Sequence, residues 1–245
     1  SLKSLEDRLF PINKKGVLWL LIDPDVSSGE RLRAMVEMAH LYGVDAILIG
    51  GSFLMGDGFD EAVRQAKVAT TLPVIIFPGG AGQISRYADG ILFTSLLSGR
   101  NPQFLVGEQV LAAPLVKKFG IPALPTAYLL VESGTTTSAE FISGTRPLPR
   151  NKPKLAAAHA MAAELLGMKA IYLEAGSGAN LPVPEEMIFE VVHSVNLPII
   201  VGGGIDDPDK AQRAAKAGAR VVVVGTAAEQ GDARILKEIS LAING

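Results

Sequence analysis

Tyr172-Leu-Glu-Ala-Gly-Ser-Gly178 runs from an apolar stretch, Ala170–Leu173, into a single carboxylate and then a Gly-Ser-Gly turn. Two later stretches repeat the form: Pro198-Ile-Ile-Val-Gly-Gly-Gly-Ile205 and Arg220-Val-Val-Val-Val-Gly-Thr-Ala227. Each reads as a buried strand that ends in glycine. Glycine at a strand end lets the backbone approach a ligand closely and adopt the φ > 0 geometry that gathers successive N–H groups around an anion. One such turn is more simply a tight connection between strand and helix. Three in succession, with Ser177 and Thr226 adding hydroxyl donors, point to one convergent phosphate site, strengthened where a helix N-terminus follows.

Working outward, the same alternation fills the chain. Strands are expected at Val17–Ile22, Ala46–Ile49, Val74–Phe77, Ile91–Thr94 and Ala123–Val131, ahead of the three already quoted. Helical patterns fall between them, at Ser27–Tyr42, Phe59–Thr71, Gln103–Phe119, Leu155–Leu166, Pro184–Val195 and Pro208–Ala217, with a last helix at Ala233–Ile243. The connection Pro78–Gly90 is short and glycine-rich, so its helix is expected to be degenerate or missing. Glu132–Pro153 is irregular and long for a compact domain, which marks a functional or mobile loop. Strands that are continuously apolar are buried on both faces. Eight of them with intervening helices predict a (β/α)₈ TIM barrel, one domain over residues 1–245, with a degenerate or missing third helix. A doubly wound sheet is disfavoured because the first turn lacks G-x-G-x-x-G.

In such a barrel the site lies at the C-terminal strand ends, with phosphate commonly held after strands 7 and 8. Here those loops carry Gly202-Gly203-Gly204 and Gly225-Thr226. On the same rim the first strand ends in Asp23-Pro-Asp25 and the second in Gly50-Gly-Ser52. Their oxygens suit a hard cation such as Mg²⁺, which keeps waters and is completed by substrate phosphates. Asp23 is the better ligand, and Asp25 is read as a cap of the following helix. Glu174 beside a phosphate is electrostatically unfavourable unless chemistry needs it. It is read first as a general base, with a structural hydrogen-bond acceptor as the alternative. Tyr172 faces the same side, for ligand or for packing. His40, His159 and His193 fall in helices, away from the site.

Composition narrows the classes. The 245 residues are 48% hydrophobic and 20% charged, with net charge −2, which offers no basic footprint for nucleic acid. No cysteine is present, so disulfides, thiolate metal sites and a cysteine nucleophile are excluded, consistent with a cytoplasmic setting. Residues 1–13 lack the apolar core of a signal peptide. Mean hydropathy is high, +0.30, yet no apolar run approaches the ~20 residues of a transmembrane segment. The surplus belongs in the core, a subunit interface or an apolar substrate groove, and a homo-oligomer is expected.

Together, Ile22-Asp-Pro-Asp25, Gly50-Gly-Ser52, Ile76-Phe-Pro-Gly79, Arg146-Pro-Leu-Pro-Arg-Asn-Lys-Pro153, Tyr172–Gly178, Gly202-Gly-Gly-Ile205 and Gly225-Thr226 resemble the geranylgeranylglyceryl phosphate synthase family. The Tyr-Leu-Glu-Ala-Gly-Ser-Gly segment is the specific part. The resemblance implies a Mg²⁺-dependent prenyltransferase that joins sn-glycerol 1-phosphate to geranylgeranyl diphosphate through an ether bond. Carried over by motif, Tyr172, Leu173, Glu174, Ala175, Gly176, Ser177, Gly178, Gly203, Gly204, Gly225 and Thr226 would hold the glycerol phosphate, and Asp23 and Ser52 the Mg²⁺. Some members carry Lys where this chain has Leu21, and Arg150 or Lys152 is expected to take over its phosphate role. Phe93, Phe104, Tyr128 and Leu96-Leu97 are candidates to line a prenyl groove. The alternatives are a sugar-phosphate isomerase or lyase on the same barrel, or a bacterial-type synthase with a longer prenyl donor.

Overall fold

Short aliphatic runs form eight strands: β1 (Val17–Ile22), β2 (Ala46–Ile49), β3 (Val74–Ile76), β4 (Gly90–Leu96), β5 (Ala123–Leu130), β6 (Ala170–Glu174), β7 (Ile199–Gly202) and β8 (Val221–Val224). They pair in parallel, in chain order, and β8 returns to β1, closing a barrel. The structure is a computed structural model and describes residues 1–225, 228, 229 and 232–245. The helices are α1 (Leu2–Leu9), α2 (Gly29–Leu41), α3 (Phe59–Ala69), α4 (Glu108–Phe119), α5 (Ser138–Ser143), α6 (Pro153–Leu165), α7 (Glu185–Val192), α8 (Pro208–Lys216) and α9 (Ile235–Asn244). A π-helical turn, Gln103–Gly107, leads into α4. No helix among the described residues is long and apolar enough to cross a membrane.

The TIM barrel and the gap in its helical ring are as the sequence predicts. Residues 77–89 contain turns and bends but no helix. Two helices were not expected from the pattern. One is α1, whose Ser1 hydroxyl accepts the Ser4 N–H at 3.4 Å. The other is α5, inside the irregular stretch, where the Thr137 hydroxyl accepts the Glu140 N–H at 3.3 Å. A Thr three residues ahead of a Glu is the signature that announces such a start.

Strand pleating sends alternate residues to opposite faces. Val17, Trp19, Ala46, Leu48, Ile75, Leu92, Leu124, Ala170, Tyr172, Ile200, Val221 and Val223 pack together as the barrel interior. Their neighbours, among them Leu18, Leu20, Ile47, Ile49, Ile171, Leu173 and Val222, pack in the helix layer. Leu5 and Leu9 of α1 join the interior cluster and close the N-terminal end of the barrel. Gly90 makes room, since a Cβ there would stand 2.5 Å from Leu5 Cδ2. Full burial of two leucines contributes about 1.5–3 kcal/mol each. α1 thus covers the N-terminal end of the barrel, and its C-terminal end is open.

Candidate active site

A cavity of about 930 Å³ occupies that mouth. Its floor is aromatic: Phe77 and Tyr172 stack at 4.8 Å between ring centroids, and Tyr128 lies 5.7 Å from Tyr172. Immediately above, one inward position further along β6, stands Glu174, 5% exposed. Its Oε1 accepts the Gly176 N–H at 2.9 Å. Burial pushes this carboxyl up to about 7, against the opposing pull of the Gly176 N–H and the nearby Tyr172 hydroxyl. The Tyr172 hydroxyl is itself buried without a well-formed hydrogen bond. Burial and the Glu174 charge hold both Tyr172 and Tyr128 well above the ordinary phenol range, so both remain neutral donors. A buried carboxylate near neutrality is what general-base chemistry requires.

The rim beside Glu174 is backbone. Gly176, Gly178, Gly203 and Gly204 all take positive φ, at 104°, 68°, 85° and 69°. Gly203 leaves no space for a side chain: a Cβ would lie 2.5 Å from Gly176 N and 2.6 Å from Glu174 Oε1. At Gly202 a Cβ would meet the Tyr172 hydroxyl at 2.5 Å. Over these turns folds α5, whose capping residue Thr137 packs where a Gly176 Cβ would stand. Ser138, Ala139, Ile142 and Ser143 line the cavity from there, so the irregular loop forms a wall of the site.

The opposite rim is side chain. Asp23 follows β1, and its Oδ1 accepts the Asp25 N–H at 2.9 Å. Its own N–H donates to Glu229 Oε1 at 3.1 Å. Burial raises the pKa of both Asp23 and Glu229, and neither is in an ion pair among the described residues. Ser52 lines the same wall. No three acidic or histidine side chains gather closely enough for an all-protein metal cage among the described residues. Arg31 donates to the Glu229 backbone carbonyl and partly offsets the Glu229 charge, but neither carboxylate is ion-paired, and with the Ser52 hydroxyl they fit a cation that completes its shell from water and phosphate. Asp25 does not cap α2. It accepts the N–H groups of Met55 at 2.6 Å and Gly56 at 3.2 Å, clamping the loop after β2.

The cavity brings together Tyr172, Glu174, Gly176, Ser177, Gly178, Gly203, Gly204, Gly225, Asp23 and Ser52. Leu173 and Ala175 stand apart, because their side chains pack in the helix layer and the Ala175 N–H is spent on the Gly202 carbonyl at 3.0 Å. Thr226 lies outside the described residues. Phe93, Leu96, Phe104 and Tyr128 line the cavity, whereas Leu97 packs in the helix layer. The expectation that Arg150 or Lys152 replaces a lysine at position 21 is corrected. Arg150 Nη1 donates to the carbonyls of Glu132 at 3.0 Å and Pro182 at 2.8 Å, bracing two loops outside the cavity, and Lys152 does not line it either. Leu21 itself lines the wall, and no Lys or Arg does so among the described residues. Asp23, Glu108, Asp206 and Glu229 join Glu174 there instead. Of these, Glu108, Asp206 and Glu229 were not singled out from sequence: Glu108 falls inside a helical pattern, and Asp206 and Glu229 lie just beyond glycine turns whose glycines drew the reading.

The chain matches the PcrB family over residues 12–243. It is 50% identical over 220 residues to the geranylgeranylglyceryl phosphate synthase of Pyrococcus horikoshii, covering 89% of this chain and 86% of that one. To the geranylgeranylglyceryl phosphate synthase of Chitinophaga pinensis it is 44% identical over 225 residues, 92% and 89% of the two chains. The crystal structure of (S)-3-O-geranylgeranylglyceryl phosphate synthase from Thermoplasma acidophilum, in complex with its substrate sn-glycerol-1-phosphate, superposes with a TM-score of 0.92 at 36% identity over 98% of both chains. With the barrel, the acidic mouth and the glycine turns in place, these likenesses put the chain in the PcrB family of geranylgeranylglyceryl phosphate synthases, and it is a prenyltransferase.

Proposed function

We propose that this prenyltransferase joins sn-glycerol 1-phosphate to geranylgeranyl diphosphate, with Mg²⁺, forming an ether and releasing diphosphate in the biosynthesis of archaeal-type ether lipids. The observation that carries the reading is Glu174, a buried carboxyl pushed up to about 7, set between the rim of glycine turns and the aromatic floor of the cavity.

In this reading the turns at Gly176–Gly178, Gly203–Gly204 and Gly225 hold the glycerol phosphate through backbone N–H groups other than that of Gly176, which Glu174 accepts, so that its 3-hydroxyl faces Glu174. Glu174 takes the hydroxyl proton as the oxygen attacks C1 of the prenyl chain, while the bond from C1 to the diphosphate oxygen breaks. Asp23 and Ser52 would hold the Mg²⁺, whose charge would offset that of the departing diphosphate. The prenyl tail runs along Phe93, Leu96, Phe104 and Ile142, over the aromatic floor. The aromatic faces of that floor keep bulk water from the reacting carbon. Exposed apolar side chains on α4 (Val110 and Leu111, each 64% exposed) and α6 (Leu165, 89%) support self-association.

The test is transfer itself. The protein is incubated with Mg²⁺, sn-glycerol 1-phosphate and a ladder of prenyl diphosphates, and products are read by mass. The expected result is an ether product on the geranylgeranyl rung that EDTA abolishes. Preference for a longer rung would identify the bacterial-type donor. No product on any rung, with phosphate binding intact, would return the site to sugar-phosphate chemistry.

A further inference from the structure

Where the ring of helices is interrupted, one side chain bridges the gap. Gln83, only 9% exposed, lies in the connection between β3 and β4. Its Nε2 donates to the Gly51 carbonyl at 2.8 Å. Its Oε1 accepts the Gly79 N–H at 3.0 Å and, more weakly, the Gly51 N–H at 3.4 Å. One amide thus ties the loop after β2 to the loop after β3. The two backbones are pressed together as well: a Cβ at Gly79 would stand 2.1 Å from the Gly51 carbonyl oxygen and 3.0 Å from Ser52 Cα. On its other side Gly51 lies against Asp23, whose Oδ2 would be 3.0 Å from a Gly51 Cβ. Gln83 does not itself line the cavity.

We infer that Gln83 is a positioning residue for the diphosphate-and-cation half of the site, setting Ser52 against Asp23 without touching either ligand. The inference rests on the reading of Asp23 and Ser52 given above. A glutamine is suited to the task because one planar group both accepts and donates. Glutamate in its ionised form only accepts, and would set its charge against the Gly51 carbonyl. Methionine keeps the bulk and does neither. The glycerol phosphate rim, built on β6 to β8, is out of Gln83's reach, so the effect is confined to one substrate.

The full-length Gln83→Met and Gln83→Glu variants test this. Binding of Mg²⁺ with inorganic diphosphate is measured by calorimetry, alongside steady-state kinetics in both substrates and thermal unfolding. For Gln83→Met, diphosphate binding should weaken by about tenfold, the scale of leaving buried polar groups unpaired. KM for the prenyl diphosphate and the half-saturating Mg²⁺ concentration should rise together, with KM for sn-glycerol 1-phosphate within about twofold. Gln83→Glu should behave likewise at pH 8 and approach wild type at pH 6, each compared with wild type at the same pH, because protonation restores the donor. Diphosphate binding unchanged in Gln83→Met, or equal losses for both substrates, overturns the inference. Wild-type protein that fails to bind Mg²⁺ and diphosphate overturns the donor-site reading first, and this one with it.

Discussion

The two halves of the barrel mouth are built by different means. The rim from β6 to β8 is backbone, with four glycines at positive φ packed so closely that Gly203 tolerates no Cβ. The rim from β1 to β3 relies on side chains, where Asp23, Asp25, Gln83 and Glu229 tie one loop to another. Backbone recognition is rigid and neutral, and suits one small anion of fixed shape. Side-chain recognition carries charge and adjusts its geometry, and suits a cation with a departing diphosphate. Glu174 stands at the junction, bonded to the backbone rim through Gly176.

The comparison is broken most decisively at that junction. Glu174→Gln should lower kcat by about 10³-fold, within the range for a lost general base, with KM for sn-glycerol 1-phosphate nearly unchanged. Near-normal turnover, measured as ether product, would return Glu174 to a structural role. In wild type, kcat/KM should rise with pH through about 7 as the carboxyl loses its proton, and Glu174→Gln should lose that limb.

Next in size, Gly203→Ala should raise KM for sn-glycerol 1-phosphate by about 10²-fold while sparing the Mg²⁺ requirement, since its Cβ invades the backbone rim. Asp23→Asn should do the reverse. If both variants impaired both substrates alike, the division between rims would fail.

A smaller effect concerns stability. A carboxyl whose folded pKa lies near 7, against about 4.5 unfolded, binds more protons in the native state between those values, so stability falls as pH rises through that window. Glu174→Gln should therefore unfold at higher temperature than wild type at pH 8, a gain of about 3 kcal/mol, and show little gain at pH 4.5. An equal gain at both pH values would point to packing instead of charge. Smallest of all, Asp25→Ala frees the Met55–Gly56 loop and should raise KM for the prenyl diphosphate only about threefold, a loss of one or two exposed hydrogen bonds.

The same contrast explains what could be read from the chain. Backbone recognition leaves glycines at strand ends, and these were legible in Tyr172–Gly178 and Gly202–Gly204, as was the barrel in its eight apolar runs. The helixless connection was legible because Pro78–Gly90 is too short for a crossover helix. Side-chain positioning was not. Gln83 and Glu229 work through contacts with residues 32 and 206 positions away, which no local pattern records. Arg150 misled for the same reason, since a cation in a loop near the mouth is attracted to carbonyls or to phosphate alike until its neighbours are known. Short α5 was readable in principle from Thr137 and Glu140, but Thr, Ser and Gly around them spell loop.

The absence of lysine and arginine from the cavity wall, among the described residues, bears on encounter kinetics. Anionic substrates approach a mouth bearing Asp23, Glu108 and Glu229, with Asp206 neutralised by Lys210 at 2.5 Å, so the remaining carboxylates repel them until neutral N–H dipoles take hold at short range. Added salt normally slows the capture of a charged ligand by an oppositely charged site. Here, screening over a Debye length of about 10 Å at 0.1 M weakens repulsion instead, and glycerol phosphate should associate faster as ionic strength rises.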